Sequence, residues 1–217
     1  MNLPTAMLWD LDGVLVDTGE FHHQAWVDAA QKFDFPYSRQ FFIDHFGMNN
    51  TRFMTLILGH APNPDFLAEV DTYKETIYRE AIRGQAELLP GVADWLAFMH
   101  AAGVPQAIGS SAPQANIDAL VDELQIRAYF GSIVSAHQLP SKPDPTVFQT
   151  AAANLEAEPS GCLVVEDAIA GVEAAKAAKM KCLAVTTTNP ADALQQADLI
   201  VDRLDRYPVP EFLERLG

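Results

Sequence analysis

Short apolar runs alternate with helix-spaced apolar positions through the second half of the chain. This alternation, with short links, predicts a parallel sheet covered by helices on both faces. Predicted strands lie at 6–9, 106–109, 132–135, 163–165, 182–185 and 199–201, and predicted helices at 92–102, 114–124, 144–154 and 168–178.

The first strand is separated from the others by about 70 residues of helical pattern. Apolar positions recur at helical spacing over 20–34, where Asp17 is expected to cap the helix, and further helical segments are predicted at 38–46, 50–59 and 65–82. We therefore expect an α/β fold: a Rossmann-like parallel sheet core with an inserted small α-helical cap domain. The predicted core comprises 1–14 and 87–217, and the predicted cap comprises 15–86, with crossings near 14–18 and 84–90.

Polar side chains follow the predicted strands at the points where the strands end. Open parallel sheets bind ligands beyond these carboxyl ends, so the polar groups should meet at one edge. They are Asp10 and Asp12 after the first strand, Ser110 and Ser111 after the second, Lys142 in the loop beyond the third, and Glu166 and Asp167 after the fourth.

Four clustered carboxylates cannot all stay ionised without compensation, because like charges at close range raise one another's pKa. A hard divalent cation resolves this, and Mg²⁺ favours oxygen ligands together with a substrate phosphate. One Mg²⁺ and Lys142 would bring the charge of the cluster from minus four to about minus one. A carboxylate could then attack a phosphorus atom, as phosphoryl transfer requires.

These motifs resemble the signature set of the haloacid-dehalogenase-like superfamily. They are Asp10-Leu-Asp12-Gly13, Ser110 after an apolar strand, Lys142-Pro143 and Val164-Val-Glu166-Asp167, in order across residues 6–167. The stretch from Asp17 to Trp26 also resembles the β-phosphoglucomutase-like branch, whose members carry His-x-x-Ala-Trp at the base of a small helical cap.

The resemblance implies that Asp10 is the nucleophile and forms an aspartyl-phosphate. It makes Asp12 the general acid and then the general base, with its backbone carbonyl on the metal. Asp10 and Asp167 would ligate Mg²⁺, and Glu166 would either ligate it or support the ligands. Dehalogenases and phosphonatases of the superfamily lack an Asp at the position of Asp12, so this residue favours phosphate ester chemistry.

The resemblance further implies that Ser110 hydrogen-bonds the phosphoryl oxygens and that Lys142 neutralises them. Ser111 is expected to cap the next helix or to contact the substrate. Gly171, inside a predicted helix, is expected to permit close packing on the sheet.

Substrate contacts or specificity from the cap are expected from His22, Trp26, Lys74, Asn49, Asn50 and Arg52. For Lys74 the alternative is an ordinary surface lysine. His22 and Trp26 lie four apart on one helix face, and each has a structural alternative as a cap-core contact. Arg52 departs from the branch pattern, in which an arginine shortly after a glycine holds the second phosphate of a mutase substrate. Here Arg52 lies further beyond Gly47 than in that pattern.

The expected function is a Mg²⁺-dependent phosphatase of a small phosphorylated metabolite, expected to be a sugar phosphate. A β-phosphoglucomutase interconverting β-glucose 1-phosphate and glucose 6-phosphate is the alternative. Two other classes were weighed: a catalytically idle phosphometabolite sensor, which would not need Asp12, and a receiver domain, which is about half this length and has no cap.

Charge and cysteine content limit the partners. The chain carries 14 basic and 29 acidic residues, a formal net charge of −15, so neither nucleic acid nor an anionic membrane is expected to bind it. Cys162 and Cys182 are expected to be buried free thiols, and the N-terminus does not resemble a signal peptide. A cytoplasmic location is the expectation that follows, and a monomer is the default expectation.

Overall fold

A six-stranded parallel sheet forms the centre of the computed structural model, which describes residues 3–216. The strand order is β3-β2-β1-β4-β5-β6, and every neighbouring pair is parallel. The strands are β1 (Ala6–Trp9), β2 (Gln106–Ser110), β3 (Ser132–Ser135), β4 (Cys162–Glu166), β5 (Lys181–Val185) and β6 (Leu199–Val201). Because β1 and β4 lie at the centre and are covered on both faces, their residues are buried throughout, as a parallel sheet requires.

Helices cover both faces of this sheet, which confirms the predicted α/β class. Successive strand residues point to opposite faces, so Leu8 and Trp9 belong to different apolar clusters. Trp9 meets Trp95 edge-on with ring centroids 6.2 Å apart on one face, and Leu8 packs in the cluster that contains Phe148 on the other. The covering helices are α5 (Val92–Ala101), α6 (Gln114–Glu123), α7 (Thr146–Asn154), α8 (Ile169–Ala177) and α9 (Val209–Leu216).

Four further helices lie between β1 and α5 in the chain, and we call them the cap. They are α1 (Gly19–Phe33), α2 (Arg39–His45), α3 (Asn50–Leu58) and α4 (Pro64–Ile82). Their apolar faces form a separate cluster rich in aromatic rings, in which Trp26 stacks on Phe53 at a centroid distance of 4.5 Å.

The two chain segments that join the cap to the sheet pair with each other. Val16 and Leu88 form an isolated antiparallel bridge, and the Leu89 N–H donates to the Leu15 carbonyl at 2.9 Å. The division into 15–86 and the remainder stays a prediction, and this pairing near both expected crossings supports it.

Two local predictions differ from the structure. The N-cap residue of α1 is Thr18 rather than Asp17, and its hydroxyl makes no cap hydrogen bond because it donates to Asp12 Oδ1 instead. Helix α9 was not predicted, since Pro208 and Pro210 at its start indicate a break, although proline is tolerated in a first helical turn. Within residues 3–216, no helix is both long and apolar enough to cross a membrane.

Candidate active site

The carboxyl end of the sheet brings the polar strand-end residues together in a buried group. Asp10 directly follows β1, Ser110 and Glu166 are the last residues of β2 and β4, and Asp167 comes next. Their exposed fractions are 3% or less, and Lys142, from the loop after β3, is fully buried beside them. Burial of so many charged groups is costly unless each is paired, so their partners define what the site can do.

Lys142 joins two of the carboxylates. Its Nζ donates to Asp10 Oδ1 at 2.7 Å and to Glu166 Oε1 at 2.6 Å. Burial alone would lower the pKa of Lys142, but these two carboxylates raise it above its ordinary value, so the ammonium stays charged. Because Lys142 binds only Oδ1, Asp10 Oδ2 has no hydrogen-bond donor from the rest of residues 3–216.

Glu166 is satisfied on both oxygens. Oε1 accepts from Lys142, and Oε2 accepts from the backbone N–H groups of Asp167 at 2.8 Å and Ala168 at 3.0 Å. Gly171 of α8 makes this possible, because a Cβ there would run into the Glu166 carboxylate. The geometry therefore favours Glu166 as the residue that fixes Lys142 and the turn after β4.

Asp167 has the opposite arrangement, with one oxygen that lacks a partner. Oδ2 accepts from the Thr188 hydroxyl, while Oδ1 is buried without a hydrogen bond from any described residue. Burial, followed by the Glu166 and Asp10 carboxylates, raises the pKa of Asp167 well above its ordinary value. Burial also raises the pKa of Asp10 to about 7 against the opposing charge of Lys142.

One oxygen each from Asp10, Glu166 and Asp167 lies within 4.8 Å of the others, so this cluster could hold a metal ion. An all-oxygen donor set with an unpartnered carboxylate oxygen fits a hard divalent cation. Such a cation would replace the proton that burial otherwise favours on Asp167.

Asp12 does not belong to this cluster, and its side chain bonds to residues on the cap side instead. Its Oδ1 accepts from the Thr18 hydroxyl at 2.6 Å and lies 3.3 Å from His22 Nε2. Burial would raise the pKa of Asp12, but His22 and Thr18 hold it below its ordinary value. Both bonds end on Oδ1, which leaves Oδ2 to exchange a proton with a ligand.

The orientation of His22 is set by a charged pair on α4. Lys74 Nζ lies 2.8 Å from His22 Nδ1, and because an ammonium only donates, Nδ1 accepts and Nε2 carries the proton towards Asp12. Glu75 Oε1 accepts from the same ammonium at 2.9 Å. Burial would raise the pKa of Glu75, but Lys74 above all lowers it to about 2.

Glu75 also connects the cap to the core. Its Oε1 accepts from Asn50 Nδ2 at 2.7 Å, and its Oε2 accepts from Asn116 Nδ2 at 2.5 Å. Asn116 lies on α6, and its side-chain oxygen accepts from Arg79 of α4 at 2.8 Å. Hydrogen bonds thus run continuously from Asp12 through the cap to a core helix.

Comparison with known proteins decides which family has this arrangement. The sequence model of the haloacid dehalogenase-like hydrolases matches residues 4–179. This chain belongs to that family. The β-phosphoglucomutase of Bacillus subtilis is 33% identical over 204 residues, which cover 90% of this chain and 88% of the relative. A phosphorylated carbohydrates phosphatase of Thermotoga maritima is 28% identical over 201 residues, which cover 90% and 92%.

Structural comparison agrees with the family assignment. The crystal structure of β-phosphoglucomutase from Clostridium difficile superposes with a TM-score of 0.89 at 24% identity, covering 99% of this chain and 97% of that one. The fold is therefore shared along the whole length. This haloacid dehalogenase-like hydrolase is a phosphoryl-transfer enzyme with phosphatases and a phosphomutase among its relatives.

The cleft of this haloacid dehalogenase-like hydrolase lies between the strand ends and the cap, with an empty volume of about 490 Å³ including its mouth. Asp10, Asp12 and Ser110 line its floor. Its roof is largely aromatic and sulfur-containing, formed by Trp26, Phe42, Phe46, Met48 and Phe53. The cap also contributes polar groups to the lining, from His22, His45, Asn50, Lys74 and Glu75. A cleft of this mixed composition suits a small ligand with both polar and apolar parts.

Some of the residues predicted to contact substrate line the cleft, and others lie outside it. Ser111, His22, Trp26 and Lys74 line the cleft, whereas Asn49 and Arg52 do not. Arg52 is exposed on α3. Ser111 does not cap α6, whose N-cap residue is Pro113; its hydroxyl instead donates to the Gly47 carbonyl at 2.6 Å.

Sequence reasoning missed several residues of the site. Thr18 could have been found from its position at the predicted crossing beside a helix start. Asn50, by contrast, was expected as a specificity residue of the cap, and it lines the cleft. Thr188, Glu75 and Asn116 had no sequence signal, since their roles depend on partners far away in the chain.

Proposed function

We propose that this protein is a Mg²⁺-dependent phosphatase of small sugar monophosphates that acts through an aspartyl-phosphate on Asp10. The observation that carries the proposal is the composition of the cleft, in which the nucleophile and its acid-base partner face a roof without a free cation. Among described residues no arginine lines the cleft, and Lys74 is already bound to His22 and Glu75. His45 also lines the cleft, with its Nδ1 at 2.8 Å from the Phe41 carbonyl, so a second phosphate would meet a histidine there but, within residues 3–216, no arginine and no unpaired lysine.

In the first half-reaction Asp10 Oδ2 forms a bond to phosphorus while the bond from phosphorus to the ester oxygen breaks. The leaving oxygen takes a proton from Asp12 Oδ2. An incoming phosphate places negative charge beside Asp12 and raises its pKa towards the protonated form. Lys142 holds Asp10 Oδ1, and the Ser110 hydroxyl, which accepts from the Ala112 N–H at 3.1 Å, can donate to a phosphoryl oxygen.

In the second half-reaction Asp12, now ionised, removes a proton from water. The water oxygen bonds to phosphorus, inorganic phosphate leaves, and the Asp10 carboxylate is regenerated. Mg²⁺ held by Asp10 and Asp167 would supply neutralisation of the phosphoryl oxygens when bound. We propose that the backbone carbonyl of Asp12 would be a further ligand of the Mg²⁺ ion.

β-Phosphoglucomutase activity is the second candidate, favoured by the 33% identity to the Bacillus subtilis enzyme of that name. In a mutase the attacking group is a sugar hydroxyl, and a sugar bisphosphate forms and turns over within the site. The two activities share Asp10, Asp12, Ser110 and Lys142, so these core residues do not distinguish them.

The test measures phosphate release from a panel of sugar monophosphates and bisphosphates with Mg²⁺, beside conversion of β-glucose 1-phosphate to glucose 6-phosphate. A phosphatase releases phosphate from monophosphates without a bisphosphate primer, and Asp10→Asn abolishes the release. Isomer conversion that needs a bisphosphate primer and releases no phosphate would establish the mutase instead.

Arg52→Ala separates the candidates independently. Because Arg52 is exposed and outside the cleft lining, we expect its removal to leave KM unchanged. An arginine that clamps a second phosphate would contribute about tenfold or more to binding, and its loss would raise KM accordingly.

We further propose a monomer acting in a reducing compartment such as the cytoplasm. The two cysteines support the compartment, since Cys162 and Cys182 are both buried and unpaired.

A further inference from the structure

The turn between α2 and α3, residues 47–49, inserts between three loops of the core, and we call it the cap turn. The Ser111 hydroxyl, beyond β2, donates to the Gly47 carbonyl. Gly47 has a φ of +86°, and a Cβ there would lie 2.9 Å from the Ala168 Cβ, beyond β4. Asn49 reaches the third loop, beyond β3.

Asn49 is 4% exposed, and its polar groups are all engaged. Its Nδ2 donates to the carbonyls of Ala136 at 3.0 Å and Leu139 at 3.1 Å, and its backbone N–H donates to Ser141 Oγ at 3.0 Å. Its Oδ1 accepts from the Arg52 N–H at 3.0 Å as the N-cap of α3. Three of these four bonds therefore leave the cap for a single core loop.

That loop, residues 136–141, leads directly into Lys142. The ammonium of Lys142 must sit between Asp10 and Glu166, and Ser141 is its immediate neighbour in the chain. The loop is held from the core side by the Ala136 N–H, which donates to the Ser110 carbonyl at 2.7 Å. Asp71 of α4 adds a second cap contact, 3.5 Å from His137.

We propose that Asn49 is a positioning residue that couples closure of the cap to the placement of Lys142. When the cap turn is seated, the Asn49 amide fixes loop 136–141 and with it the ammonium that neutralises Asp10. When the cap lifts, the loop loses these bonds and Lys142 is less firmly held, so the nucleophile is fully assembled only in a closed cleft. The proposal rests on the functions proposed above for Asp10 and Lys142.

Asn49→Asp tests the coupling, because it keeps the oxygen that caps α3 and removes both amide donors. It also sets a carboxylate against two carbonyl oxygens, which is repulsive. Losing two hydrogen bonds to buried carbonyls should lower kcat by about 10- to 100-fold. Asn49→Ser, which retains a capping oxygen without a charge, should lower kcat in the same direction.

Asn63→Asp is the matched control. Asn63 is the exposed N-cap of α4, and its oxygen accepts from the N–H groups of Asp65 and Phe66 at 2.9 and 3.3 Å. The same substitution there should leave kcat unchanged. If Asn49→Asp behaves like Asn63→Asp, Asn49 is a helix cap only and the coupling is overturned.

Two readouts separate positioning from general damage to the fold. Amide hydrogen exchange, measured with Mg²⁺ and inorganic phosphate, should show faster exchange in 136–141 for both Asn49 variants and unchanged exchange in α5. In a double-mutant cycle on kcat/KM, Asn49→Ser should cost much less in a Lys142→Gln background than in the parent. Additive losses, or unchanged exchange in 136–141, would overturn the proposal.

The exchange experiment needs no knowledge of the substrate. If the parent enzyme hydrolyses no sugar monophosphate, the proposed function fails, while protection of 136–141 still decides the role of Asn49.

Discussion

At the scale of single residues, two glycines create the space that two buried carboxylates of the site occupy. Gly13 has a φ of +84°, and a Cβ there would run into the Asp167 carboxylate. Gly171 stands in the middle of α8, where a Cβ would meet Glu166. These glycines are required because carboxylates fill the space where their side chains would be.

Gly171→Ala therefore reverses an ordinary rule. An interior helix glycine replaced by alanine usually stabilises a protein by about 0.5–1 kcal/mol. Here we expect a lower melting temperature and a loss of kcat, because Glu166 must move and Lys142 with it. Thermal denaturation and phosphate release measure the two effects. A stabilised and fully active variant would contradict the packing described for Glu166.

Magnesium binding is predicted at Asp167. Asp167 Oδ1 has no hydrogen-bond partner among the described residues, so it is available to bind Mg²⁺. Because the ion would bind only the folded state, added Mg²⁺ should raise the melting temperature of the parent protein. Asp167→Asn should abolish this rise, and the exposed Asp192→Asn should retain it. Chelation by EDTA should remove phosphatase activity and added Mg²⁺ should restore it. An equal thermal shift in all three proteins would place the ion elsewhere.

At the scale of elements, α4 joins the two halves of the molecule through consecutive charged residues. Lys74 reaches His22 on α1, and Glu75 reaches Asn116 on α6. Both side chains are at least nine-tenths buried, so each depends on the other for compensation.

The pH dependence of stability should report on Glu75. Its pKa is about 2 in the folded protein and near 4.5 in the unfolded chain. The stabilisation is therefore fully present above about pH 4.5 and is lost as the pH falls towards 2. Glu75→Gln should cost roughly 3–5 kcal/mol near neutrality, since Lys74 loses its counter-charge, and the difference should shrink in acid.

Urea denaturation of the parent and Glu75→Gln proteins at pH 7, 5, 4 and 3 measures this trend. A difference in free energy of unfolding that is constant over this range would mean that the Glu75 pKa is not lowered by folding.

The elements themselves were largely predictable, because strand and helix periodicity survives in a parallel α/β sheet. The convergence of Asp10, Ser110 and Glu166 followed from topology alone. Helix α9 was not predicted, since its eight residues follow Pro208 and include Pro210, and so short a segment provides little pattern. It is nevertheless packed on the core, with the ring centroids of Phe212 and Trp95 5.3 Å apart. The function of Asn49 could not be predicted, because its partner Ala136 lies 87 positions away and offers only a backbone carbonyl.

At the scale of the whole molecule, a net charge of −15 surrounds a site that must receive an anion. Positive charge at the site does not offset this field, because Lys142 and Lys74 are each bound to carboxylates. Substrate association therefore works against long-range repulsion, which screening by salt reduces.

Ionic strength should thus raise kcat/KM for a dianionic sugar phosphate. Between about 0.01 M and 0.15 M salt the Debye length falls from about 30 Å to about 8 Å, which screens the repulsion. We expect kcat to change little. Initial rates at low substrate concentration in sodium chloride measure the effect, and a decrease in kcat/KM with salt would indicate attraction at the cleft mouth instead.

The paired crossing at Val16 and Leu88 has a consequence for how such enzymes diversify. The two ends of the cap segment lie side by side. The whole roof of the cleft is therefore an insertion that leaves the core and returns to it at the same place. Recombination at this point could replace the roof without shifting β1 or Asp10, the nucleophile that we propose. Substrate choice and bond chemistry can then evolve as separate, exchangeable modules.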